Sequence, residues 1–458
     1  MIVMGALLAL GWFHAWQRVG NGLPVFALSA DDFSRMLDAR SVAAGTLLPT
    51  DVWPPLPAWL AGALVWVGVP FSAAPAVVNF ACAALAAVVT ADCAVRMGVG
   101  RLTAVTTAFG WLILPWTLRL GASGLAEMPA AAAISVAMLG VVFGRAGVVA
   151  VGILAATMCR YEAIAFVVPF WVWVVARGGR QTRDVVWLPV PCLFFVAWMA
   201  WSERVNGDAL AFVGLVHSEA GARPPLARAL ARTAIDCGFA MGWVLPLGLV
   251  GLYLSVRRAR GHWGDDPQFG WAAFVGLAAV VALAAQLAGL HGIHNAPRFW
   301  LVYGALVLPF AAIAVDQVAA RFSVAVFLPV ALSLAFLPVT IAAPPELRLD
   351  TYAAAAAIGS GGGASGGGDG GSDLDRRLSE APLLVEVDGW EFRALMVLVG
   401  PDRVTLEADG DAMISRAPGW LAHGGVVVVT RDSTREVVAP GRQSQTFGAW
   451  TVVSGGPP

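Results

Sequence analysis

The chain has 458 residues, of which 58% are hydrophobic and only 13% charged, with a formal net charge of −1. Soluble globular proteins carry about one charged residue in four, so an ordinary soluble enzyme is excluded. The near-zero balance, with Arg as the only basic residue besides His, also excludes an electrostatic binder of nucleic acid.

Repeated apolar runs of membrane-spanning length predict an all-α polytopic membrane protein. In chain order the expected spans are 1–16, 75–95, 102–118, 128–144, 146–159, 163–176, 185–201, 236–256, 270–290, 299–315 and 322–343, about eleven in all. The first lacks a basic n-region, so an uncleaved helix is expected; a leader cut near Ala30 is the alternative. The run 57–70 is short and fenced by prolines, and reads as a juxtamembrane helix with Trp53, Trp59 and Trp66 at headgroup level. If it does not cross, the arginines at 96, 101, 145, 177, 180, 183, 257, 258, 260 and 321 all fall on the cytoplasmic side, as the positive-inside rule asks. The same rule favours two short helices over 146–176, meeting at Arg160-Tyr161-Glu162. The N-terminus is then cytoplasmic and the C-terminus extracytoplasmic.

The outer face collects ionisable residues of both signs. Asp31, Asp32 and Arg35 stand in the first loop, followed by Trp53-Pro54-Pro55; Arg119 and Glu127 flank the next turn; Arg160 and Glu162 form a corner; His291, His294 and Arg298 lie in HGIHNAPRFW. The long loop 203–235 adds His217, Arg223, Arg228 and Arg232, the arginines at near-helical spacing. After Pro345 the composition changes. Residues 346–375 form a Gly-rich linker, and 376–458 read as a small extracytoplasmic α/β domain with strands in PLLVEV, GVVVVTRD and AWTVV and a short helix in WEFRALMVLVG. The expected division is thus 1–345 membrane domain, 346–375 linker and 376–458 soluble domain. The five cysteines lie in or beside apolar runs without CxxC spacing, and read as small core residues.

Ionisable residues near a bilayer face a cavity or a partner. Arginine holds phosphate through a planar fork, and a carboxylate can take a proton from an acceptor hydroxyl. Together they form a minimal kit for group transfer from a lipid phosphate. Each residue also has a plainer reading: Glu127 favours a positive helix end, Arg160 and Glu162 pair across a corner, and Arg298 anchors at the headgroups.

The order Asp31-Asp32, Trp53-Pro54-Pro55-Leu56-Pro57, Leu125-Ala126-Glu127-Met128-Pro129, Arg160-Tyr161-Glu162 and His294-Asn295-Ala296-Pro297-Arg298-Phe299, followed by a soluble tail, resembles the GT-C superfamily of polytopic glycosyltransferases. It is most similar to bacterial relatives of the dolichyl-phosphate-mannose protein mannosyltransferases and the lipid A aminoarabinose transferases. The resemblance implies a polyprenyl-phosphate sugar donor, a lipid, glycan or protein acceptor, and action on the outer face of the bacterial cytoplasmic membrane. It implies that the first-loop acidic pair supplies the general base. The family's usual pair is Asp-Glu; Asp31-Asp32 stands here, with Phe33 and Ser34 where tyrosines are usual. Asp31 is the expected base and Asp32 an orienting residue or metal ligand. Arg35, Trp53, Arg119, Glu127, Arg160, Glu162, His291, His294 and Arg298 are the expected substrate contacts. No cofactor is required by the pattern, and a divalent metal at Asp31 and Asp32 remains an open alternative. A transporter or flippase of lipid-linked glycans is the second reading, and a non-catalytic scaffold of the cell envelope the third.

Overall fold

Proline and glycine punctuate the apolar runs and mark several of the helix boundaries, as Pro57, Pro75 and Pro115 do at helix starts and Gly207 and Gly242 at helix ends. The computed structural model describes residues 30–50, 52–176, 182–212, 226–258, 267–287, 296–342, 358, 381–386, 392–399, 401–407, 410–423, 425–430, 434, 437–438, 444–447 and 450–454. The chain divides into two compact units: one contains Asp38–Ala343, the other joins Arg18–Leu37 to Pro344–Pro458.

The first unit is helical. Its elements are the second half of α1 (Ala30–Ala43), α2 (Leu56–Trp66), α3 (Ala74–Arg96), α4 (Arg101–Leu112), α5 (Pro115–Ala122), α6 (Glu127–Val142) and α7 (Ala146–Thr157). A 3-10 turn, Tyr161–Phe166, leads into α8 (Val167–Ala176). Then follow α9 (Leu193–Asn206), α10 (Leu226–Met241), α11 (Val244–Arg258), α12 (Pro267–Leu287), α13 (Ala296–Ala319) and α14 (Leu328–Ala342).

Two expected spans divide. The run 102–118 breaks before Pro115, which opens α5; a proline inside the continuous helix would clash with the preceding turn. The run 236–256 breaks at Gly242, whose φ of +53° is the left-handed conformation that ends helices. A separate bend of 109° lies between α5 and α6, across residues 123–126, and at Gly242 the end of α10 meets α11 at 95°. Among the described residues three helices are long and apolar enough to cross a membrane, Ala74–Arg96, Asp184–Asn206 and Trp300–Ala319, or five spans if each bent pair is one. Helices of that length therefore do not reach the expected tally of about eleven. Several of the expected spans are shorter apolar helices, and span 1–16 lies outside the described residues.

Lipid gives no hydrophobic drive between helices, so close backbone approach must supply the packing. Accordingly α11 and α13 run side by side with Gly248 against Val307 and Gly251 against the Phe310 carbonyl. The buried Trp271 of α12 donates its indole N–H to the Leu306 carbonyl at 3.0 Å. Ile134, Ile153, Phe166, Phe170, Trp271 and Phe310 share one core, while Val172, Val175, Val196, Tyr253 and Leu334 stand outward. Apolar side chains facing out from apolar helices fit a lipid surround. All five cysteines are free.

The second unit centres on a five-stranded sheet in the order β2-β1-β3-β5-β4, with β1 Leu383–Glu386, β2 Val404–Glu407, β3 Val426–Val429, β4 Ser444–Phe447 and β5 Trp450–Ser454. Strands β1, β2 and β3 are parallel, and β5 is antiparallel to β3 and β4. Parallel neighbours need crossover connections, here α15 (Phe392–Val399) and α16 (Gly410–Ala422). Alternation along the strands fills both faces. Leu383, Val385, Val426 and Val428 pack with Leu395 and Trp450, and Leu384, Val427 and Val429 pack with Met413 and Leu421. Ile358, from within the expected linker, is buried in the first of these cores. The first half of α1 also belongs to this unit.

Candidate active site

The site starts from a turn that has to be held without water. The last carbonyls of α5 have no intrahelical donor, and in an apolar setting such groups need protein partners. Asn79, buried in the second turn of α3, supplies them. Its Nδ2 donates to the carbonyls of Leu120 (3.1 Å), Ser123 (2.7 Å) and Leu125 (2.5 Å). Ser123 Oγ donates to Leu120 O at 3.1 Å and accepts from Leu125 N at 3.3 Å. This lashing fixes the approach to Glu127, the first residue of α6, where the positive end of the helix dipole favours a carboxylate.

Glu127 is 0% exposed and gathers two guanidiniums on one oxygen. Arg160 Nη1 donates to Oε1 at 2.5 Å, and Arg298 Nε lies 3.4 Å from the same atom. Its Oε2 is buried without a hydrogen bond among the described residues. Arg160 stands at the break between α7 and the 3-10 turn and is also held in a fork by Glu162, with Nη2–Oε1 3.1 Å and Nε–Oε2 3.2 Å. Both arginine side chains are 13% exposed and Glu162 is 30% exposed, so one edge of the cluster is open. Arg298 is near the start of α13 and adds a full charge to that helix's positive end.

The Trp53-Pro54-Pro55 loop is fastened to the same corner. The Tyr161 hydroxyl donates to Val52 O, and Leu56 N donates to Met158 O at 3.0 Å. Tyr161 stacks on Phe212, ring centroids 4.5 Å apart. The structure thus brings Glu127, Arg160, Glu162 and Arg298 together, with the Trp53 loop bound to their corner.

At the far end of the same helices lies a basic rim. Arg96 (4.2 Å) and Arg145 (5.9 Å) both lie over the Phe143 ring, just past the end of α6. Gly100 N donates to Asp316 Oδ1 at 3.1 Å, near the end of α13, and Gln268 donates to Met97 O. Between Arg298 and Asp316, α13 rises about 27 Å, close to the thickness of a hydrocarbon core of about 30 Å.

The other expected residues are distributed as follows. Arg119 is half-buried on α5, 5.9 Å from the Trp116 ring. Asp31, Asp32 and Arg35 lie in the half of α1 that belongs to the second unit; Asp32 and Arg35 are buried and Asp31 is partly exposed. His291 and His294 lie outside the described residues, as do His217 and Arg223. Among the described residues no group of three or more His, Cys, Asp or Glu stands together as a metal site. Sequence reasoning missed Asn79 and the buried Asp236 of α10. A signal for Asn79 existed: it is a single amide between Val78 and Phe80 in an otherwise apolar run.

No protein-family model and no curated protein matches the sequence. Solved structures do match the fold over its whole length. ArnT from Cupriavidus metallidurans in the apo state aligns with a TM-score of 0.64 and 15% identity, covering 100% of this chain and 99% of that one. The same protein bound to undecaprenyl phosphate aligns with a TM-score of 0.62 at the same identity and coverage. The apo oligosaccharyltransferase of Archaeoglobus fulgidus aligns with a TM-score of 0.53 and 11% identity over 93% of this chain and 69% of that one. The chain therefore shares the fold of these ArnT and oligosaccharyltransferase structures.

Proposed function

We propose that the protein is a glycosyltransferase that moves a sugar from a polyprenyl-phosphate donor to an acceptor at the outer face of a bacterial cytoplasmic membrane, with residues 1–345 as the catalytic domain. The observation that carries this reading is the Glu127–Arg160–Arg298 cluster in a GT-C fold, two guanidiniums held at the positive starts of α6 and α13. Such a place attracts an anion. The ArnT structure with undecaprenyl phosphate makes a lipid phosphate the anion of choice. Sidedness is supported by the basic rim, since loops rich in Arg stay cytoplasmic and the cluster is about one hydrocarbon thickness away.

In the proposed reaction Asp31 takes the proton from an acceptor hydroxyl. The freed oxygen attacks the anomeric carbon, the bond from that carbon to the phosphate oxygen breaks, and polyprenyl phosphate leaves with the electron pair. Arg298 and Arg160 stabilise the phosphate as its charge grows. Asp31 is preferred over Asp32 because Asp32 is fully buried while Asp31 keeps an exposed edge. Asp32 orients the acceptor or holds a divalent ion. Arg35, Trp53, Arg119, Glu162, His291 and His294 complete the proposed substrate contacts. The test is purified protein with a polyprenyl-phosphate sugar and candidate acceptors. Release of polyprenyl phosphate should depend on Asp31, and unchanged turnover in both Asp31→Asn and Asp32→Asn would remove the base.

A second reading, a carrier of lipid-linked glycans, is favoured by one observation: Glu127 directly follows the bend between α5 and α6, and transporters place charges at broken helices. Lipid scrambling without sugar transfer would favour it.

A further inference from the structure

Within the second unit, the tail holds on to the acidic helix. Arg393 of α15 donates from Nη1 to Ser34 Oγ at 2.6 Å. Ser34 is 1% exposed, and Asp32, Phe33, Arg35 and Met36 around it are buried as well. Asp31, Ser34, Arg35 and Asp38 follow i, i+3, i+4, i+7 and share one helix face, so the contact falls one turn from Asp31. The donor stands on a rigid base. Its neighbours Ala394 and Leu395 are buried, and Leu395 and Val399 pack into the sheet core beside Leu383 and Val426. The later half of α1 is held by other means: Ala39 packs with Ala61, Ala74 and Val78, and Val42 lies against Gly62.

We infer that Arg393 is a positioning residue, whose hydrogen bond to Ser34 keeps the turn bearing Asp31 and Asp32 fixed in the frame of the tail. The tail domain is thereby a structural part of the acidic helix. The consequence for turnover rests on the glycosyltransferase reading above; the holding itself does not.

The test is hydrogen–deuterium exchange on the full-length protein in lipid nanodiscs, comparing wild type, Arg393→Ala, Arg393→Lys and Ser34→Ala. Loss of one charge-assisted hydrogen bond should speed exchange roughly tenfold over 30–37, with 38–43 unchanged. Arg393→Lys should restore part of the protection. Ser34→Ala removes the acceptor without touching the tail, and so decides the matter if Arg393→Ala loosens β1 and β3. Unchanged exchange over 30–37 in Ser34→Ala, or equal acceleration across 30–43, would overturn the inference. In the transfer assay the loosened variants should lose kcat with little change in KM. Loosening without loss of turnover would uphold the clamp and refute the catalytic role given to the acidic pair.

Discussion

Glu127→Gln is the sharpest perturbation of the cluster. The substitution keeps shape and one acceptor oxygen but removes the charge that two guanidiniums share at 2.5 and 3.4 Å. A hydrogen bond to a charged group contributes about 1.5–3 kcal/mol and a neutral one about 0.5–1.5. The Arg160 bond alone therefore weakens by about 1 kcal/mol or more. Arg298 then faces a neutral amide at the positive end of its own helix, which adds about 1 kcal/mol. Glu162 still holds Arg160 in its fork, so the loss stays below the 3–5 kcal/mol, approximately, of breaking a buried pair outright. The expected cost of Glu127→Gln is about 2–3 kcal/mol. Glu162→Gln should cost about 1 kcal/mol, because that carboxylate is 30% exposed and water replaces part of its role. The assay is equilibrium unfolding in mixed micelles for both single variants, together with a double-mutant cycle of Glu127→Gln and Arg160→Met. Coupling of about 1 kcal/mol or more is expected for groups in contact. The reasoning fails if Glu162→Gln proves the costlier of the two, or if the cycle is additive.

Asn79→Ala should destabilise by about 1–3 kcal/mol, since it strips the donor from buried carbonyls; Asn79→Asp should be worse, facing acceptors with acceptors, and equal unfolding curves would contradict this. Gly251→Ala should severely lower folded yield, because a Cβ there overlaps the Phe310 backbone, whereas Gly276→Ala meets nothing within 4 Å and should gain about 0.5–1 kcal/mol of helix propensity. A neutral Gly251→Ala, read by size-exclusion yield, would refute the α11–α13 packing. In the tail, Glu386 accepts from Thr430 N at 2.9 Å and Thr434 Oγ1 at 2.7 Å while fully buried. Glu386→Ala should cost about 2–4 kcal/mol and speed exchange of the β3 amides first; protection equal to wild type would show that these bonds are dispensable.

The signals that could be read in the sequence were the ones backbone chemistry enforces locally. Four valines in a row at 426–429 must be buried on both faces, and they form the central strand. The break at Arg160-Tyr161-Glu162 was legible because two loop arginines could not otherwise share a side. The edge strands 404–407 and 444–447 escaped because each is only four residues long: VTLE alternates over too short a run to stand out, and SQTF is mostly polar. The divided spans escaped for a related reason. Hydropathy sees composition, and neither Pro115 nor Gly242 lowers it enough to interrupt an apolar run.

The same limit explains the cluster. Glu127, Arg160 and Arg298 are separate in sequence, and each has an adequate local reading as a helix-start carboxylate, a corner pair or a headgroup anchor. Only the helix breaks bring them to one atom. The 109° bend after α5 frees the start of α6 from the preceding helix, and that start would be a poor place for two arginines without the carboxylate it carries. The chain has thus placed its unfavourable charges where helices begin, and spent a buried amide, Asn79, on keeping one of those beginnings in place. A fold selected for stability alone would do better with well-packed apolar side chains in place of Glu127, Arg160 and Arg298. Their presence in an apolar domain is what supports the substrate role proposed for them.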